Sequence, residues 1–108
     1  MVEIYPVSPP GKRIVAQLLN ADETSAQEVS VDLEDFFGRI VEIYCEATTA
    51  TNFYLDASTD GSNWFNIKSW SSTTKVHEGF FNAFRYLKLR SDAAGSSGDT
   101  VTLIITAI

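Results

Sequence analysis

One cysteine, one histidine and one methionine occur among the 108 residues, and eight lysines and arginines stand against fourteen aspartates and glutamates. A lone Cys45 excludes an internal disulfide, and its place in an apolar alternation marks a buried, inert thiol rather than a nucleophile. His77 is the only base a Ser-His-Asp triad could use. No nucleophile elbow or Gly-rich phosphate loop accompanies it, and within TKVHEG it reads as a surface or edge residue. A zinc site would have to combine His77, Cys45 and carboxylates, at spacings unlike those of known zinc motifs. The net charge of -6 and pI near 4.5 oppose the counterion release that rewards binding to nucleic acid or anionic membranes, so neither is an expected partner. No stretch approaches the roughly 20 apolar residues of a membrane span, which excludes insertion by a helix. MVEIYPVSPPGKR has an acidic residue and three prolines where a signal peptide needs a basic region and an unbroken apolar core. The chain is therefore expected to be made without a cleavable leader or to be a mature form. Its location stays open, with a virion among the options.

What is present is a 44% hydrophobic, 12% aromatic composition, sufficient for one ordered core without metal or disulfide. One domain over residues 12–108 is expected, preceded by an extended, Pro-rich arm over residues 1–11. Period-two alternation recurs, and the 3.6-residue stripe of a helix hardly appears. Val41, Ile43, Cys45 and Ala47 share one face against Ile40, Glu42, Tyr44 and Glu46. Similar alternation runs through Phe53 to Ser58, Trp64 to Trp70, Arg85 to Arg90 and Val101 to Ile108. Arg13 to Leu19 and Val29 to Leu33 are further strands, and Thr73 to Glu78 a weaker one. Turn-forming runs at Ser8–Gly11, Asn20–Thr24, Ala47–Thr51, Ser58–Asn63 and Asp92–Thr100 separate them. The fold class expected is all-β, an antiparallel sandwich of about eight strands with jelly-roll topology. Thr24–Glu28 and Leu33–Gly38 are the best helix candidates, each a single turn at most. DAAGSSGDT, residues 92–100, reads as a solvated and mobile connection between the last two strands.

The stretch STDGSNW, residues 58–64, demands a choice. Asp56, Ser58, Asp60 and Gly61 match the first half of a calcium loop, but Ile67 stands where a bidentate Glu should close it. The flanks alternate as strands where that loop needs helices. As a hairpin turn the stretch is coherent, because Asp60 and Gly61 are residue types that tolerate a tight reversal. FYLDASTDGSNWFNI, followed by FRYLKLRSD, also resembles discoidin-like (coagulation factor 5/8 type C, galactose-binding-like) jelly rolls. There a strand leads into S-x-D-G-x-x-W and a later strand reads R-Y-hydrophobic-basic-hydrophobic. Ser58, Asp60, Gly61 and Trp64 match the first pattern, and Arg85, Tyr86, Leu87, Lys88 and Leu89 the second. The likeness spans roughly residues 53–90, and the motif also occurs in small phage and archaeal-virus structural proteins. This chain is shorter than the usual domain, lacks its paired cysteines, and has no counterpart of its ligand loops. The resemblance thus implies a jelly roll and transfers no binding residue. A compact form without leader or cysteine pair looks more like a virion-associated or other self-assembling protein than a secreted lectin.

Carboxylate pairs such as Glu34 with Asp35 and Glu42 with Glu46 read as solvated faces, and neither enzymatic activity nor a cofactor is expected. Tyr54, Trp64, Trp70, Phe80, Phe81, Phe84 and Tyr86 exceed what one face of a small core absorbs. Trp64 and Trp70 fall on one face by simple alternation, either outward, to stack on sugar or on another subunit, or inward as core. In the final strand Ile104 and Ile108 lie opposite the apolar face, which calls for cover on both sides or a partner. The arm is too rigid to collapse and suits an extended course along a neighbour. The expectation is a non-catalytic, self-assembling homo-oligomer, a capsid, decoration or tail protein of a virion. Its candidate contacts are Tyr54, Trp64, Trp70, Ile104 and Ile108. The alternative is a carbohydrate-binding module with a glycan partner.

Overall fold

A computed structural model describes residues 13–33 and 39–108. The arm, the Glu34–Asp35 pair and all of the second helix candidate after Leu33 lie outside the described residues. Within them every regular element is a strand: β1 (Ile14–Asp22), β2 (Gln27–Asp32), β3 (Arg39–Ser58), β4 (Phe65–Asn82), β5 (Tyr86–Ser91) and β6 (Thr100–Ala107). The first helix candidate is a turn running into β2. The described chain is thus all-β and antiparallel, with six continuous strands in place of the eight shorter ones expected.

The strand count falls because two pairs of expected strands fuse. β3 runs through Ala47–Thr51, where its small and β-branched residues were read as a turn, and β4 likewise joins its two halves into 18 residues. Residues 41–46 of β3 lie between β6 and β4, whereas residues 53–57 lie between β5 and β4. The sheet follows the order β1-β6-β3-β5-β2, with β4 added on β3. β1 and β2, at the two ends of that path, come close without pairing, so the sheet is nearly closed.

Alternation sends one side of every strand into a shared core. Val41, Ile43, Cys45, Phe53, Leu55, Leu87, Leu89, Val101, Leu103 and Ile105 are fully buried, and Leu33 joins them from beyond β2. Each large apolar side chain there contributes about 1.5–3 kcal/mol by leaving water. Burial also pushes the Cys45 thiol up to about 12, consistent with its reading as an inert core residue.

Irregularities in the ladder decide where side chains point. Asp56 pairs with Asn66 but Leu55 with Lys68, so β4 carries one extra residue, Ile67. Such a bulge reverses the parity of all that follows. The Asn66 amide secures it by donating to the Leu55 carbonyl, the Asp56 carboxylate and the Lys68 carbonyl at 3.2, 3.1 and 2.9 Å. A second irregularity accompanies the bend of the hairpin, where Ser72 takes a φ of 49° and its N–H donates to Asn52 Oδ1 at 2.9 Å. In β1 an extra residue around Asn20, φ 52°, shifts the pairing with β6.

Candidate interaction surface

The outward side of the β1, β6, β3 and β4 segments carries one feature that alternation alone does not explain. Ile40 of β3 is directly opposite Phe81 of β4, and the Ile108 N–H donates to the Ile40 carbonyl at 3.0 Å. These three therefore form a row across three neighbouring strands at one end of the sheet. Phe81 is 71% exposed, Ile40 55% and Ile108 51%. Val15 extends the row diagonally onto β1, because it pairs with Thr106, two residues before Ile108. Adjacent exposed apolar side chains of this size are unusual on a surface with no partner.

The rows beside it are polar and internally matched. Glu42 is opposite Gly79 and Thr106, Tyr44 opposite His77 and Ile104, and Glu46 opposite Lys75 and Thr102. His77 Nε2 lies 3.1 Å from Glu42 Oε1 and the His77 ring meets Tyr44 edge-on at 5.9 Å. The Tyr44 hydroxyl donates to Glu46, which raises its pKa above the ordinary phenol range. His77 is thus an exposed residue of this face. Ile104 sits within it, half-buried between Tyr44 and Gln17.

The other outward face, on β2, β5 and the second half of β3, is a lattice of rings and charges. The Arg90 guanidinium lies 4.1 Å from the Tyr54 ring centre and its Nε donates to Asp56 at 2.7 Å. Burial works against the Asp56 charge, but the Arg90 and Asn66 hydrogen bonds prevail and hold its carboxyl below the ordinary range. The Tyr54 hydroxyl donates to Asp92 at 2.7 Å, which raises its pKa. Lys88 Nζ lies 4.2 Å from the Trp64 ring centre. Trp64 is consequently on the outward side, with a cation over its ring. Trp70 packs against the core. The extra residue at Ile67 is why the two tryptophans part company, contrary to the single face that alternation assigns them.

The Asp60–Gly61 turn closes the same hairpin. Asp60 Oδ1 accepts from the Ser62 and Asn63 N–H groups, each at 2.8 Å, and from the Ser58 hydroxyl at 3.0 Å, while Oδ2 accepts from the Asn63 amide at 2.7 Å. These bonds, led by the Asn63 N–H, hold its carboxyl far below the ordinary range. Gly61 has φ +80°, and a Cβ there would stand 3.3 Å from the Tyr86 ring. The carboxylate is therefore consumed by the turn itself. Among the described residues no group of three or more His, Cys, Asp or Glu is placed to hold a metal ion.

Sequence reasoning missed Glu23, a fully buried acid in the turn after β1. Its Oε1 accepts from the Thr49 N–H at 2.9 Å, its own N–H donates to the Asp99 carbonyl at 3.1 Å, and its carbonyl accepts from the Ala94 N–H at 2.8 Å. The 92–100 connection is thus fastened to β1 and to the bend of β3. Beside it lies an open cleft of about 370 Å³ flanked by Asn20, Asp22, Thr24, Asp99 and Thr100, with no aromatic ring on which a sugar could stack. Compared with protein-family models and with curated proteins, the chain matches none.

Proposed function

We propose that the chain is a non-catalytic building block that associates with copies of itself, of the kind found among small structural proteins of virions. The Phe81–Ile40–Ile108 row carries this reading. Three large apolar side chains in register across three strands lose water-exposed area at about 25 cal/mol per Å² when covered, and covering them needs no polar group to be desolvated within the row. A jelly-roll topology of discoidin-like type goes with the proposal. What supports it is that β3 pairs with β6 along its first half and with β5 along its second, while β4 follows it through both.

Light scattering tests the reading: the expected mass is several times 11.9 kDa. Phe81→Asp should bring that mass down to one chain, while thermal unfolding of the exposed-site variant moves little, within about 0.5 kcal/mol. A monomer at high concentration for the unaltered chain would overturn the proposal.

The second reading, a carbohydrate-binding module, draws on the outward placement of Tyr54 and Trp64. For it to hold, sugar must displace Lys88 or Arg90 or use the opposite ring faces. Tryptophan fluorescence that stays flat across a glycan panel retires it.

A further inference from the structure

Resting on the self-association reading, we infer that the apolar row of one copy is covered by residues Val2–Val7 of a second copy. The twelve residues preceding Arg13 precede β1 in the chain, and the β1–β6 register begins with Ile14 opposite Ala107, the neighbour of Ile108 at the end of the row. β1, the strand that this segment precedes, thus begins at the end of the sheet where the exposed row lies. Its composition fits an apolar row: Val2, Ile4, Tyr5 and Val7 against a single charge, Glu3.

Reach separates a neighbour's row from the chain's own. Ser8 to Lys12 contain Pro9-Pro10, a pair that favours the extended polyproline form at about 3.1 Å per residue, so five residues span roughly 15 Å. From β1 across β6 and β3 to β4 are three strand spacings of about 4.8 Å, roughly 14 Å. Laid over its own sheet, the chain would set prolines, Gly11 and Lys12 on the row and carry the apolar residues past Phe81. Directed at a second copy, the same spacer clears its own sheet and delivers Val2–Val7 to the other row. Charge agrees with this. The receiving face carries Glu42 and Glu46 against Lys75, a single net charge in a chain of net charge -6, so an arm with one acid meets little repulsion there.

Two measurements decide it. Removal of residues 1–7 should reduce the solution mass to that of one chain, while far-ultraviolet dichroism and the unfolding midpoint stay close to those of the full chain. An oligomer that survives the deletion overturns the arm's role and leaves self-association standing, whereas a monomeric full chain overturns the reading beneath it. In the second, separately prepared Ile4→Cys and Phe81→Cys chains are mixed and oxidised. A disulfide-linked pair containing one of each is expected, several-fold above either chain oxidised alone. An Ile4→Cys, Phe81→Cys double variant that cross-links only within one chain would show the arm on its own row and overturn the exchange, and so would the absence of any mixed pair.

Discussion

The Asp60 carboxylate accepts four hydrogen bonds, and the consequence is a pH dependence with a definite sign. Asp60, Asp22, Asp99 and Asp56 all have carboxyl pKa values lowered in the fold, the first three chiefly by hydrogen bonds from neighbouring backbone or hydroxyl groups. A lowered native pKa means that the unfolded chain binds protons first, near pH 4, so the stabilisation is complete above that and is lost as pH falls towards the native values. Asp60→Asn should therefore flatten the fall in melting temperature below about pH 4, and an acid limb as steep as that of the unaltered chain would contradict the role assigned to Asp60. Gly61→Ala combines a left-handed φ with a Cβ against the Tyr86 ring and should cost about 1–3 kcal/mol in urea unfolding. Cys45 should be silent to a thiol reagent until the chain unfolds. The turn and the inert thiol were legible because each depends on near neighbours in sequence. Glu23 was not, because its burial depends on Thr49 and on the 92–100 connection, which only the fold brings to it.

At the scale of strands, period-two alternation located part of every described strand, because a nearly closed sheet must bury one side of each, but it stopped at Glu78 where β4 runs on to Asn82. Continuity was hidden. Ala47–Thr51 has the composition of a turn, yet β3 passes through it, since the Thr51 hydroxyl donates to the Asp92 carbonyl at 3.0 Å and Thr49 is tied to Glu23 and Asp99. Those partners lie far along the chain. The faces of Trp64 and Trp70 were misjudged for a related reason: a single inserted residue reverses parity, and nothing in FNIKSW marks Ile67 as the insertion. The sequence signal that comes nearest is Asn66, an amide able to satisfy the carbonyls a bulge frees. Asn66→Ala should accordingly lower stability by about 1 kcal/mol, seen as a reduced urea midpoint at unchanged slope. No change in the midpoint would mean that the bulge holds without the amide. The exposed row was half legible. Ile108 was picked out as lying opposite the apolar face, and Phe81 only as one of more aromatics than a small core absorbs; the β3–β4 register alone sets Phe81 beside Ile40.

For the whole molecule, charge and apolar surface pull association in opposite directions. Two copies carrying -6 each repel over distances set by the screening length, which is about 30 Å at 0.01 M salt and about 10 Å at 0.1 M. Glu42 and Glu46 lie beside the row, but Asp22 at the far end of β1, Glu28 and Asp32 on β2, and Asp60 and Asp99 on turns lie away from it, all exposed or half-buried. Their repulsion is long-range and screenable, whereas the contact of Phe81, Ile40 and Ile108 with an apolar partner is short-range and indifferent to moderate salt. Assembly through the row should therefore tighten as ionic strength rises over that interval, with the transition from one chain to oligomer moving to lower protein concentration in sedimentation velocity. An interface built instead on the Arg90, Asp56 and Lys88 face would weaken over the same interval, because its attraction is between charges. Salt that dissociates the oligomer would place the contact on that ring-and-charge lattice and remove the row from the interface.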